Sequence, residues 1–170
     1  APTTALSEGT VYSDEANLEA GVIGVYWSLK TSNYSWTTQM SEFCSFPSIL
    51  IHWKDNRTAE NYIQTLRLTR FSHSADNQGR YDYLYASIYK CNKMIEAMSI
   101  SPVDQAYKNE IEGEVKFIRA WQYFAAVRFW GDIPLILNTP KNIDETDAPR
   151  VHYMEVYKQI LSDIEYAEQN

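Results

Sequence analysis

The side chains of this sequence that could do chemistry are its three histidines and its many carboxylates. The histidines, His52, His73 and His152, have no metal-ligand spacing, and no HExxH, CxxC or glycine-rich phosphate loop is present. Hydrolysis of a glycosidic bond needs two carboxylates that face each other from separate elements, and nothing in the sequence nominates such a pair. We therefore predict no catalytic residue, no metal and no cofactor.

Aromatic residues are the unusual part of the composition. The chain has 13 Tyr, 5 Trp and 6 Phe, which together make up 14% of its residues. Tyr and Trp combine a flat apolar face with a polar group, which suits both a large core and the recognition of sugars or peptides. Composition alone leaves both interpretations open.

Length and charge are typical of one globular domain. At 170 residues the chain can bury a substantial core. Its net charge of −7, from 15 basic and 22 acidic residues, argues against nucleic acid as a partner. No apolar run approaches the roughly 20 residues that a membrane-spanning helix needs.

Cys44 and Cys91 could form a disulfide or be buried thiols, and the lack of a framework of spaced cysteine pairs favours thiols.

Hydrophobic periodicity predicts four helices and an all-α fold. Their approximate bounds are 14–29, 81–98, 102–129 and 153–168. The short link between the second and third helices predicts an antiparallel hairpin, with tetratricopeptide-like packing. Residues 30–80 form a long irregular excursion between the first two helices, and their many aromatic side chains argue against disorder. We expect this excursion to be functional.

The third helix is predicted to be the central one. Ser101 is the expected N-cap, with Pro102 at the first helical position, and Gly131 is expected to end the helix before Pro134. Its apolar residues occupy two faces, so it should pack between two layers. One face comprises Ile111, Val115, Ile118, Trp121 and Ala125, and the other comprises Phe117, Ala120, Phe124 and Val127.

Several polar and small residues of the helices have predicted structural roles. A buried guanidinium must find carboxylates or carbonyls, so Arg119 and Arg128 are expected in salt bridges. Asn92 is expected to tie the backbone of a loop to the second helix. Gly21 and Gly24 lower helix propensity, and we expect them to permit the close approach of a neighbouring element.

The most distinctive stretch of the chain is EGEVKFIRAWQYF at residues 112–124, followed by RFWGDIPL at residues 128–135. Arginine, alanine and aromatic residues end a helix, and glycine, aspartate, an aliphatic residue and proline follow it. Segments 20–26, 85–92 and 150–164 add further similarity in the same order along the chain. Together these segments resemble the SusD/RagB family over nearly the whole chain.

The resemblance implies that residues 1–170 are the N-terminal portion of a single SusD-like domain, because family members are much longer. It implies a surface lipoprotein of the Bacteroidetes outer membrane that captures glycan without breaking bonds. The glycan would pass to a partner, a TonB-dependent SusC-like transporter. Contact with the membrane would be made only through a lipid anchor, whose cysteine these residues do not include. The alternatives are peptide capture, or a tetratricopeptide-like scaffold that binds only its protein partner.

The resemblance also implies where ligand binds. Family sites combine aromatic platforms with amide and charged hydrogen-bonding groups. One known arrangement, in the excursion after the first helix, is a tryptophan followed three residues later by an asparagine. Trp53 and Asn56 have this spacing and are the implied ligand-binding pair. Trp36, Tyr34 and Arg57 are further candidates.

Overall fold

The computed structural model describes residues 12–30, 75–142 and 147–170. In these residues the chain forms four helices and two very short strands. The elements are α1 (Glu15–Lys30), α2 (Ala75–Ile100), α3 (Gln105–Trp130), β1 (Ile133–Pro134), β2 (Arg150–Val151) and α4 (Tyr153–Gln169). The all-α prediction is confirmed.

The chain divides into two compact units. One comprises residues 1–28 and 84–170, and the other comprises residues 29–83. Every contact described below lies within the first unit. This unit holds most of α1 and α2 and the whole of α3 and α4.

Two predicted helix starts were wrong. The second predicted helix, α2, begins at Ala75 rather than near residue 81. The sequence did not indicate this earlier start, because the first turns of the helix are polar or small and carry no apolar periodicity. The third, α3, is capped by Asp104 rather than by Ser101. A carboxylate oxygen of Asp104 accepts a hydrogen bond from the backbone N–H of Ala106 at 2.9 Å, which satisfies one donor at the helix start.

Gly131 ends α3, as the sequence predicted. Its φ of +68° is a conformation that residues with a side chain rarely adopt, and its N–H donates to the carbonyl of Val127 at 2.9 Å. The chain then enters β1, which pairs antiparallel with β2, so that Ile133 lies opposite Val151. A side-chain oxygen of Asp132 accepts a hydrogen bond from the N–H of Tyr153 at 2.8 Å. These contacts join the end of α3 to the start of α4.

One face of α3 is buried as predicted, except for its tryptophan. Four of its residues are at most 6% exposed: Ile111, Val115, Ile118 and Ala125. Trp121, however, is 39% exposed, and Gln122 is buried instead. The alternating steps of four and three that lead from Ile111 to Val115 and Ile118 continue to Gln122 and Ala125, and Trp121 lies one position off this row. The predicted burial of Trp121 on this face was therefore wrong.

The second apolar face of α3 is only half covered. Ala120 and Val127 are buried, whereas Phe117 is 50% exposed and Phe124 is 36% exposed. The predicted packing of α3 between two layers is therefore incomplete in the described residues.

The two glycines of α1 differ in their surroundings. A Cβ on Gly21 would lie 2.7 Å from the sulfur of Met94, so the predicted close approach is confirmed there. A Cβ on Gly24 would meet nothing within 4 Å, so the same prediction was wrong for Gly24.

Gly21→Ala and Gly24→Ala in the full-length protein are therefore expected to change stability by different amounts. Gly24→Ala should raise the free energy of unfolding by about 0.5–1 kcal/mol, since alanine favours the helix. Gly21→Ala should stabilise the protein less than Gly24→Ala does, because the end of the Met94 side chain must move to admit the new methyl group. Urea denaturation of both variants measures the two effects. Equal stabilisation by both would contradict the close packing of Gly21 against Met94.

Candidate functional site

The five ligand-binding residues implied by the sequence all lie outside the described residues. They are Tyr34, Trp36, Trp53, Asn56 and Arg57. The structure does describe the helices that flank this segment in the chain, α1 and α2, together with α3 and α4. Two features of these helices bear on function: a buried polar network, and a groove with aromatic and acidic walls.

A buried ion pair joins α3 to α4. Nε and Nη2 of Arg119 donate to the two carboxylate oxygens of Asp163 at 2.8 and 2.7 Å, and the residues are 4% and 2% exposed. Nε2 of Gln159 also donates to Asp163, at 2.9 Å. Such a bidentate ion pair fixes the orientation of both side chains. The expectation that Arg119 makes a structural salt bridge is confirmed.

Asn92 of α2 extends this network to the segment after α3. Its side-chain oxygen accepts a hydrogen bond from Nη1 of Arg119 at 2.8 Å. Its side-chain nitrogen donates to the backbone carbonyl of Ile136 at 2.9 Å. The predicted role of Asn92, to tie loop backbone to a helix, is confirmed.

Tyrosine side chains hold the same segment from two helices. The hydroxyl of Tyr123 donates to the carbonyl of Ile136 at 2.7 Å and accepts from its N–H at 2.8 Å. The hydroxyl of Tyr85 donates to the carbonyl of Pro134 at 2.6 Å. A segment with little secondary structure of its own thereby satisfies its backbone polar groups.

The pKa shifts in this network indicate a structural rather than a catalytic role for its side chains. Burial alone would lower the pKa of Arg119, but the hydrogen bonds and charge of Asp163 outweigh it and raise that pKa. Burial raises the pKa of Tyr123 above its usual range. Burial also raises the pKa of the free Cys91 thiol to about 12, so it stays protonated and unreactive at neutral pH. Cys91 is thus a buried thiol, and Cys44 lies outside the described residues.

Arg128 was also expected in a salt bridge, and that expectation was wrong. Its side chain is exposed, with the guanidinium carbon 5.2 Å from the centre of the Phe124 ring. An exposed guanidinium keeps its hydration and needs no carboxylate, unlike the buried group of Arg119.

A groove of about 640 Å³ lies where α1, α3 and α4 meet. Its apolar wall includes Tyr26, Phe117 and Ile164, which are 45%, 50% and 39% exposed. Gly113 lies in its floor, where a Cβ would be 3.5 Å from the Cα of Ala167. The groove is therefore shaped by the close packing of α3 on α4.

Three carboxylates, those of Glu110, Glu114 and Glu168, also line this groove. The hydroxyl of Tyr26 donates to Glu114 at 3.0 Å, and burial, the hydrogen bond and the negative charge together raise the pKa of Tyr26. Aromatic faces beside carboxylates can bind apolar groups, hydroxyls or cations. This groove could not be predicted from the sequence, because it depends on the packing of three helices. Of its apolar lining residues, the sequence had placed Phe117 on the second face of α3.

Two further findings apply to the part of the chain that the structure describes. It contains no cluster of three or more His, Cys, Asp or Glu side chains that could hold a metal ion. Each of its helices is too short or too polar to span a lipid bilayer.

The described residues form a tetratricopeptide-like helical fold, in which a short link joins α2 to α3 and a buried ion pair joins α3 to α4. The SusD-like family described as "Starch-binding associating with outer membrane" matches residues 4–169. The chain belongs to this family, as the sequence resemblance indicated. The family is described by binding and not by a reaction, in agreement with the prediction that the chain is not an enzyme.

Individual relatives agree with this assignment. SusD-like protein P2 of Formosa agariphila is 25% identical over 99% of this chain, which covers 33% of that relative. A SusD-like protein of Bacteroides fragilis superposes with a TM-score of 0.78 at 24% identity, over 99% of this chain and 32% of its own. A laminarin-binding SusD-like protein superposes with a TM-score of 0.78 at 21% identity, over 92% of this chain and 34% of its own. The chain thus spans about a third of the length of these proteins.

Proposed function

We propose that the full-length protein captures glycan at the surface of the outer membrane and delivers it to a TonB-dependent, SusC-like transporter. It binds the glycan without breaking bonds. Residues 1–170 form the N-terminal portion of its SusD-like domain. The observation that carries this proposal is the family match over residues 4–169, since that family is described as starch-binding and associated with the outer membrane.

The similarity to a laminarin-binding protein supports glycan rather than peptide as the ligand. The composition agrees with this choice, because 14% of the residues are aromatic and aromatic faces stack on the C–H faces of sugars. Two of the five tryptophans, Trp36 and Trp53, fall in the segment between α1 and α2. This segment is the proposed location of the ligand site in the first 170 residues.

In this segment Trp53 is the proposed stacking platform, and Asn56 is the proposed partner of sugar hydroxyls. Tyr34, Trp36 and Arg57 are proposed to complete the site. An amide group both donates and accepts hydrogen bonds, so it can bind a hydroxyl group as the donor or as the acceptor. Stacking is worth about 1–3 kcal/mol per platform, by analogy with bases on aromatic side chains. Affinity built from so few platforms is weak, which suits a protein that must release its ligand to a transporter.

The test is a binding screen of the full-length protein against soluble glycans that include laminarin and starch. Trp53→Ala is expected to lower the affinity for the bound glycan about five- to 150-fold, the equivalent of losing one stacking platform. Isothermal titration calorimetry measures the change. Asn56→Ala should lower affinity as well, by a smaller factor.

The matched control is Trp27→Ala, which removes a tryptophan of α1 that is 55% exposed. This variant is expected to bind glycan as the parent does, and circular dichroism should show that all variants are folded. Full-length protein that binds no glycan would overturn the proposed function. Glycan binding that survives Trp53→Ala unchanged would overturn only the proposed site, and would leave this segment as scaffold.

A further inference from the structure

Another cavity of the first unit lies between α1 and α2 and has a volume of about 270 Å³. We call it the α1–α2 cavity. Two tyrosines and two lysines line it, together with one exposed glycine of α1: Tyr12, Tyr89, Lys90, Lys93 and Gly24. The cavity therefore combines aromatic side chains with positive charge.

Gly24 keeps this cavity open. One turn earlier on α1, the space beside Gly21 is filled, because an added Cβ would lie 2.7 Å from the sulfur of Met94 and 3.3 Å from the ring of Tyr12. An added Cβ on Gly24 would meet nothing within 4 Å. A glycine inside a helix lowers its stability relative to alanine, and no close packing of Gly24 offsets that cost. Its missing side chain leaves volume that a ligand can occupy.

The charge of the α1–α2 cavity is opposite to that of the whole protein. The chain has a net charge of −7, and three carboxylates line the groove between α1, α3 and α4. Among the described residues that line the α1–α2 cavity, by contrast, two are lysines and none is Asp or Glu. Lys90 and Lys93 are three residues apart on α2, so they share one face of that helix. No acidic residue lies three or four positions from Lys90, so no carboxylate of its own helix neutralises it there.

We propose that the α1–α2 cavity binds one acidic sugar residue of a glycan through the carboxylate or sulfate group of that residue. Its volume lies just below the range of about 300–1,000 Å³ that is usual for small-molecule sites, which suits a single sugar ring. The ring of Tyr89, which is 46% exposed, can stack on the C–H face of the sugar. The lysine ammonium groups donate charged hydrogen bonds to the anionic group. This inference rests on the proposed function in taking the ligand to be a glycan.

Binding of acidic and neutral glycans to the full-length protein tests the inference. Isothermal titration calorimetry compares oligogalacturonate, which carries carboxylates, and sulfated laminarin, which carries sulfate esters, with unmodified laminarin, which is neutral. At least one of the acidic glycans is expected to bind, and the stronger of the two identifies the anionic group.

Two variants separate binding in the cavity from binding elsewhere. Gly24→Leu places a side chain in the open volume and should lower the affinity for the acidic glycan at least about tenfold, while leucine preserves the helix. Lys90→Gln removes one exposed charge and should lower that affinity about two- to fivefold. The matched control is Lys158→Gln, which removes the same charge from α4, outside the cavity, and should leave the affinity unchanged. Circular dichroism should show that every variant is folded.

Several outcomes would overturn the inference alone. They are binding of neutral laminarin but of neither acidic glycan, acidic-glycan affinity that Gly24→Leu and Lys90→Gln leave unchanged, and an equal loss of affinity with Lys158→Gln. The last outcome would show a general effect of charge. Full-length protein that binds no glycan, neutral or acidic, would overturn the proposed function as well.

Discussion

Asp163→Ala in the full-length protein is expected to cause a large loss of stability. The substitution leaves the guanidinium of Arg119 buried, at 4% exposure, without the two charged hydrogen bonds that it makes in the parent. Removing one partner of a buried ion pair costs about 3–5 kcal/mol. That is a large share of the roughly 5–15 kcal/mol by which a typical domain is stable. Urea denaturation followed by circular dichroism measures the loss.

Two comparisons separate this cause from a general effect of substitution in α4. Lys158→Ala removes the ion pair with Glu155, which is largely exposed, and should change stability by at most about 1 kcal/mol. Arg119→Met combined with Asp163→Leu replaces both charges by apolar groups, and should recover most of the loss. If the double variant is no more stable than Asp163→Ala, the unpaired charge of Arg119 is not the cause of the stability loss.

The helices could be predicted from the sequence because their signals are local. Apolar residues at steps of three and four fixed α1 and α4 to within a residue, and Gly131 marked the end of α3 because no other residue tolerates its backbone so well. The start of α2 could not be predicted in the same way. Its first residues, from Ala75 on, are polar or small and display no apolar row.

Burial of polar side chains was predicted in part, because it depends on contacts between helices. Asn92 and Arg119 were recognised from their places on inward faces, but their partners, the Ile136 carbonyl and Asp163, lie 44 residues along the chain from each. Arg128 shares a helix with Arg119, and only the packing of α3 shows that one is buried and the other exposed. The groove around Tyr26 depends on three helices, so no single segment predicts it.

Tyr123→Phe is also expected to cause a large loss of stability, lowering the free energy of unfolding by about 1–3 kcal/mol. The variant keeps the ring, which is fully buried, and removes only the hydroxyl. The N–H of Ile136 then loses its bond to that hydroxyl, while the carbonyl of Ile136 keeps its bond to Asn92. The matched control is Tyr85→Phe, which removes the hydrogen bond to the carbonyl of Pro134 from a residue that is half-buried rather than fully buried, and should cost less.

The difference between the parent and Tyr123→Phe should also depend on pH. Burial raises the pKa of Tyr123 in the folded protein, whereas in the unfolded chain it lies near its ordinary value of about 10. Below that pH both states hold the proton, so the contribution of the hydroxyl is complete and constant. Above it the unfolded chain releases the proton first, so the parent loses stability that the phenylalanine variant cannot lose. Urea midpoints measured from neutral pH to about pH 11 should therefore converge, and a constant gap would show that the hydroxyl is less buried in solution than in the structure.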